Sequence, residues 1–251
     1  MAYFSLAEAA QRYEQYRPRV HEVIKSWLAD ADIPRHFATA LDVACGTGHS
    51  TLPLLTICDS VSGIDLSQEM LAKALEKELT VAQLPYQQAH TLGQFDLITT
   101  CMAFHWFDGT EAILAYKKAS KPGAIWLIYN FSFAGSVEAD DFNHWFTQDY
   151  LSRYPSPARN NSVARLSDDP SISLVAAVTG ILPIQLSRTE LVGYLTTQSN
   201  VEAQILNGMS YQQVEEDLHR AIDKFRLSDN FNYRFSYEIY RYSGSEEVPE
   251  K

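Results

Sequence analysis

The segment Asp42-Val43-Ala44-Cys45-Gly46-Thr47-Gly48, followed by Asp65 nineteen residues beyond Gly46, holds the side chains of this sequence best suited to chemistry. Glycines at a strand-to-helix turn remove Cβ atoms and admit left-handed backbone, so the main chain can close on a ligand. An acidic residue at the end of the next strand can accept two hydrogen bonds from a ribose diol. Together they point to an adenosine-containing cofactor; the plain alternative is a tight turn beside a surface aspartate. A dinucleotide fingerprint requires a third glycine three residues after the second, to let helix and strand approach under a pyrophosphate. Thr51 stands there, and Asp42 lies just ahead of the loop, so NAD and FAD are disfavoured. A Walker loop is excluded because no Gly-Lys-Ser/Thr follows.

Other residues divide between a chemical and a structural reading. His105, just past a strand end, is a base or anion donor, or a histidine tied to backbone. Trp106 is a ligand wall or plain packing. Tyr13 and Arg17 suit an N-terminal lid in which Arg17 grips a carboxylate bidentately; the alternative for Arg17 is a solvated charge at a helix end. Cys45 reads as buried rather than reactive. Phe142, Trp145, Phe146 and Tyr150 are spaced for one helical face, which favours core packing over a substrate wall.

These residues require a frame. Thr39–Ala44, Ser60–Asp65, Phe95–Cys101 and Ala124–Asn130 read as strands, with helices predicted at Ser50–Cys58, from Ser67, and at Glu111–Ser120, and a turn at Lys121-Pro122-Gly123. Strands alternating with helices imply a parallel α/β sheet, with ligands outside the carboxyl ends of its strands. Ahead of it, Ser5–Tyr16 is a predicted helix with a capping-box spacing from Ser5 to Glu8, and Val20–Ala31 a second. Behind it, Val137–Tyr154 and Ser171–Val178 read as helical around a loop at Pro155–Pro170, an insertion that would cap the site. Ile184–Arg188 is a predicted strand, followed by helices near Thr189–Tyr194 and Ser210–Phe225. Phe231–Tyr242 alternates with period two and closes the sheet, and a disordered tail, 243–251, is expected after it.

Composition excludes several classes. Of 251 residues, 46% are hydrophobic and 20% charged, as in a globular chain. The net charge of −11 argues against nucleic acid and against an anionic membrane surface. No apolar run approaches the ~20 residues of a membrane span, and the first residues do not read as a secretory signal. Cys45, Cys58 and Cys101 lack metal or disulfide spacing, so no metal site is expected and a cytoplasmic, reducing location is.

LDVACGTGHS and VSGIDLSQEML resemble motifs I and II of the class I S-adenosylmethionine-dependent methyltransferases, of the methyltransferase type 11 kind. LPY at Leu84–Tyr86, FDLITTCMAFHWFD at Phe95–Asp108 and KPGA at Lys121–Ala124 match the later motifs in order, over about residues 38–130. YEQYRP at Tyr13–Pro18, HWFD at His105–Asp108 and TELVGYLTTQS at Thr189–Ser199 resemble the trans-aconitate methyltransferase branch. The resemblance implies a Rossmann-like α/β fold: a seven-stranded, mostly parallel sheet with helices on both faces, an antiparallel last strand and a helical cap after the fifth. It implies one domain over 1–242, divided into an N-terminal helical lid (1–37), a cofactor core (38–131), the cap (132–183) and closing elements (184–242).

For the cofactor, S-adenosyl-L-methionine, it implies that Asp42, Ala44, Gly46 and Gly48 surround the methionyl part and Asp65 holds the ribose. Leu66 and Met70 would lie against the adenine, Val81 and Ala82 at its edge, and Cys101 and Met102 beside the cofactor. The usual acidic residue before the LP motif is missing from Thr80-Val81-Ala82-Gln83, and the stretch between Leu84 and Phe95 differs from the family's Asp-rich loop. Tyr13, Arg17, His105 and Trp106 would face a small-molecule acceptor, a carboxylic acid first and a quinone-type or other hydroxylated metabolite second. No side chain is expected to be an indispensable catalyst, because methyl transfer depends mainly on alignment. The competing classes are a cofactor-binding protein without turnover and a nucleotide-dependent dehydrogenase. The number of subunits is left open.

Overall fold

The computed structural model describes residues 4–158 and 166–244, Ser167 by its backbone alone. The expected tail from Ser243 and part of the Pro155–Pro170 loop lie largely outside these residues.

Seven strands, β1 (Phe37–Val43), β2 (Cys58–Asp65), β3 (Val81–Gln83), β4 (Phe95–Cys101), β5 (Ser120–Ser136), β6 (Ile172–Gln185) and β7 (Asn230–Tyr242), form one sheet in the order β3-β2-β1-β4-β5-β7-β6. β1 to β5 pair in parallel, with Val43 level with Ile64 on one side and Thr100 on the other. Their middles are apolar runs because both faces are covered. β7 runs antiparallel: Leu186 N–H donates to the Asp229 carbonyl at one end, and Ser243 N–H to Ser171 at the other. The Rossmann-like sheet, its antiparallel last strand and the helices inserted after β5 are as expected.

The described residues group into two compact units. Residues 19–130, 166–178 and 236–244 form one; residues 4–18, 131–158 and 179–235 form the other. The first is built on a core of Leu41, Val43, Ile64, Ile98, Tyr116 and Trp126. Its helices are α2 (Ile24–Asp30), α3 (Gln68–Leu75), whose Ser67 hydroxyl accepts from Met70 N–H, and α4 (Gly109–Ala119), capped by Asp108. The second unit, containing α1 (Ala7–Tyr16), α5 (Asp140–Trp145), α6 (Leu151–Arg153), α7 (Arg188–Thr196), α8 (Ser199–Leu206) and α9 (Tyr211–Ile222), is aromatic inside. Phe142 packs against Phe133, Phe225 and Phe231, so the aromatic face of the insertion is core. Tyr16 lies flat on Gly193, where any Cβ would collide with the ring, and this brings α1 against α7.

Several elements differ from expectation. Ser5 and Glu8 form no capping box: α1 starts at Ala7 with Leu6 at its cap, and Glu8 pairs with Arg12 one turn on. The second helix opens as a 3-10 turn at His21–Val23. Ser50–Cys58 is not an α-helix but a 3-10 turn at Leu52–Thr56, since Pro53 supplies no donor and Cys58 already belongs to β2. The predicted helix Ser171–Val178 is strand from Ile172, continuous through Gln185, while Arg188 starts α7. Short apolar runs fit either period, and here pairing with β7 decided the matter. β3 and α8 had no prediction, three residues and a two-residue linker being too little signal.

Candidate functional site

The loop after β1 is held from below and from the side by two carboxylates. Asp42, fully buried, accepts from Ser50 Oγ and Thr51 Oγ1 at 2.7 Å on one oxygen and from Thr99 Oγ1 at 2.8 Å on the other. Thr51, where a dinucleotide loop would carry glycine, is thus an anchor. Asp65, half-buried at the end of β2, accepts from Gly46 N–H at 2.9 Å and from Ser67 N–H at 2.8 Å. Burial pushes both carboxyls above their ordinary range, against the hydroxyls around Asp42 and the backbone N–H groups around Asp65. Between them the backbone turns left-handed at Ala44 (φ 59°), Gly46 (54°) and Gly48 (88°). A Cβ on Gly48 would collide with Leu79. Ala44 has no such freedom and carries about 1–2 kcal/mol of strain. Met102, just past β4, is left-handed too (φ 54°), its N–H donating to the Tyr129 carbonyl at 2.8 Å. Strain of this kind gathers at functional sites, although Phe4, Asp32 and Glu78 share it in other turns.

Asp42, Ala44, Gly46, Gly48, Asp65, Leu66, Cys101 and Met102 all lie at the carboxyl ends of β1, β2 and β4 or in the loops that follow. Met70 is buried beneath Gly46, whereas Leu66 is 61% exposed. Val81 and Ala82 are half-buried on β3, and Gln83 donates to the Leu66 carbonyl at 2.9 Å. Cys45 is buried against Gly63, as expected, and burial, then Asp42 and Asp65, push its thiol well up. His105 and Trp106 form a half-buried 3-10 turn with rings 4.7 Å apart. Tyr13 and Arg17 belong to the other unit. There Arg17 is not a solvated helix-end charge but buried, its guanidinium 4.7 Å from the Tyr13 ring and 5.4 Å from that of Tyr194, donating to the Thr197 carbonyl at 2.6 Å.

Three residues escaped the sequence reading. His21 Nδ1 lies 3.3 Å from the hydroxyl of buried Tyr129 and 3.8 Å from Cys101 Sγ. Its ring is 6.4 Å from that of His49, which is buried directly after Gly48. Cys101 and Tyr129 are level on neighbouring strands, so the cluster sits at the carboxyl end of β4 and beside the middle of the longer β5. Adjacency to the loop could have drawn attention to His49; nothing local marks His21 or Tyr129. Among the described residues no group of three or more His, Cys, Asp or Glu could hold a metal, and no helix is long and apolar enough to cross a membrane.

Residues 40–123 match a family described as a methyltransferase domain. A Dictyostelium discoideum protein provisionally named a methyltransferase is 23% identical over 206 residues, 79% of this chain and 78% of its own length. A ubiquinone biosynthesis O-methyltransferase of Thiobacillus denitrificans is 30% identical over 142 residues, 49% of this chain and 59% of its own length. A structure from Anaeromyxobacter dehalogenans, provisionally called a type II methyltransferase, superposes with a TM-score of 0.65 at 19% identity, covering 91% of this chain and 98% of that one. The match over 40–123 lies on the glycine loop and the strands around it, and the likeness to the Anaeromyxobacter structure shows a shared fold.

Proposed function

We propose that this protein transfers a methyl group from S-adenosylmethionine to a small-molecule acceptor. The observation that carries this is the position of Asp65 at the end of β2: its carboxylate accepts the backbone N–H groups of Gly46, Ser67 and Leu66 and keeps acceptor capacity for a ribose hydroxyl. Exposed Leu66 and half-buried Val81 and Ala82 supply an apolar edge for the adenine, and the backbone of Ala44, Gly46 and Gly48 a cradle for the methionyl part. The turn after the loop is only five residues of 3-10 helix, so no long helix aims its positive end at a pyrophosphate. When bound, the cofactor supplies a sulfonium methyl group that is already electrophilic. The chain's own part is to hold the acceptor in line and keep water away.

Two acceptor classes have support. A carboxylic acid is ionised at neutral pH and needs no base; Arg17, a buried cation among tyrosines, suits recognition of such an anion. A hydroxylated, quinone-type metabolite is favoured by His21, whose imidazole beside the Tyr129 hydroxyl could take the proton an alcohol or phenol must lose. The partial likeness to an O-methyltransferase of ubiquinone biosynthesis agrees with this second reading.

Calorimetry with S-adenosylmethionine is expected to show binding, and metabolite extract with methyl-labelled cofactor to yield a labelled ester or ether. Absence of binding would overturn the proposal. Binding without any labelled product would leave the cofactor-binding reading. His21→Gln is expected to cut ether formation about 100-fold in kcat and to leave ester formation unchanged.

A further inference from the structure

We propose that β6 is the seam of a homodimer, in which two copies of this chain lay their β6 strands side by side. β6 closes the strand order, so one of its edges bonds β7 and, among the described residues, no strand bonds the other. It is 14 residues long, Ile172–Gln185, and reads ISLVAAVTGILPIQ without one charged side chain. Its exposure does not alternate: Ser173, Leu174 and Val175 are all exposed, as are Ala177, Val178 and Thr179, and both faces of the strand lie open. Leu174, Val175, Val178 and Ile181 are between 37% and 50% exposed. Protein edges are ordinarily protected by charge, proline, a bulge or short length. β6 has only Pro183, two residues from its end, and is more than twice the usual ~5–6 residues.

The occupant that fits is another β6. An uncharged strand cannot select a charged peptide, whereas an antiparallel copy presents the same apolar side chains and the same unused N–H and C=O groups. Two-fold pairing also satisfies both edges at once and leaves none for a third copy. The size is adequate: at about 3.3 Å per residue the strand runs about 46 Å, and a sheet about 10 Å deep gives roughly 460 Å² per partner from the edge alone. The projecting leucine, valine and isoleucine side chains bring the total over both copies to about the 1,000 Å² of a specific interface. The net charge of −11 opposes approach, but none of it lies on β6, so salt strengthens the pairing by screening the rest.

Sedimentation velocity of the full chain tests this. The wild type is expected to pass from monomer to dimer across the micromolar range, more readily at high salt. Val178→Lys with Ile181→Lys is expected to stay monomeric with an unchanged thermal midpoint. A wild type that remains monomeric overturns the proposal, including one that binds lipid vesicles instead; so does a dimer that the lysines leave intact. Should the lysines prevent folding, hydrogen exchange of the wild type decides. Amides of residues 173–182 are then expected to exchange more slowly as concentration rises, and rates independent of concentration overturn the proposal.

Discussion

Asp42 and Arg17 are both buried charges, one in each compact unit, and their surroundings differ in kind. Three hydroxyls, from Ser50, Thr51 and Thr99, converge on Asp42, two of them supplied by the loop it anchors. Arg17 instead lies against the faces of Tyr13 and Tyr194 and donates to the Thr197 carbonyl. The first arrangement is directional, and each bond depends on one acceptor. The second spreads the charge over rings whose attraction falls off gently with position. A loop that must keep a fixed backbone geometry is served by the first, and a cation held inside an aromatic core by the second.

Asp42→Ala is the most severe way to break that comparison. It leaves three buried hydroxyls without their acceptor and should cost about 3 kcal/mol in urea unfolding. Arg17→Met, which keeps the stem in place, should cost about 1 kcal/mol; an equal loss in the two variants would show that the distinction is false. Asp65→Ala is expected to weaken cofactor binding by about 1–3 kcal/mol, since a charged acceptor is lost. Unchanged affinity by calorimetry would remove Asp65 from the ribose.

A pH-dependent effect concerns Glu202 on α8, which accepts from the Tyr211 hydroxyl. Burial raises its carboxyl from 4.5 to about 7, against the Tyr211 bond and the charges of Arg12 and Arg17. The folded state therefore keeps a proton that the unfolded chain releases above about 4.5, so this contribution to stability falls as pH rises from 4.5 to 7 and then levels. The change should be about 2 kcal/mol in the wild type and absent in Glu202→Gln, read from urea midpoints across that range. Parallel curves for the two proteins would place the titration elsewhere.

Much of the frame around the glycine loop was legible in the chain. Phe95–Cys101 is a strand at the residues expected, because a strand buried on both faces is an apolar run between turns. Ser67 caps α3 as its type and place suggest. β6 was misread because ISLVAAV satisfies neither period clearly, and its partner lies near Arg241, 68 residues from Ser173. His21 and Tyr129 are 108 residues apart and carry no local mark of their meeting.

The spacing of Gly46, Gly48 and Asp65 by itself determined a left-handed loop at the end of one strand with a carboxylate at the end of the next, because glycine and carboxylate chemistry act over one turn and one strand. Only the tertiary structure decided that Asp42 anchors the loop from within, that Arg17 is buried, and that β6 has an open apolar edge. Each of those depends on which distant residues arrive beside it, and folding settles that through burial and pairing of the whole sheet.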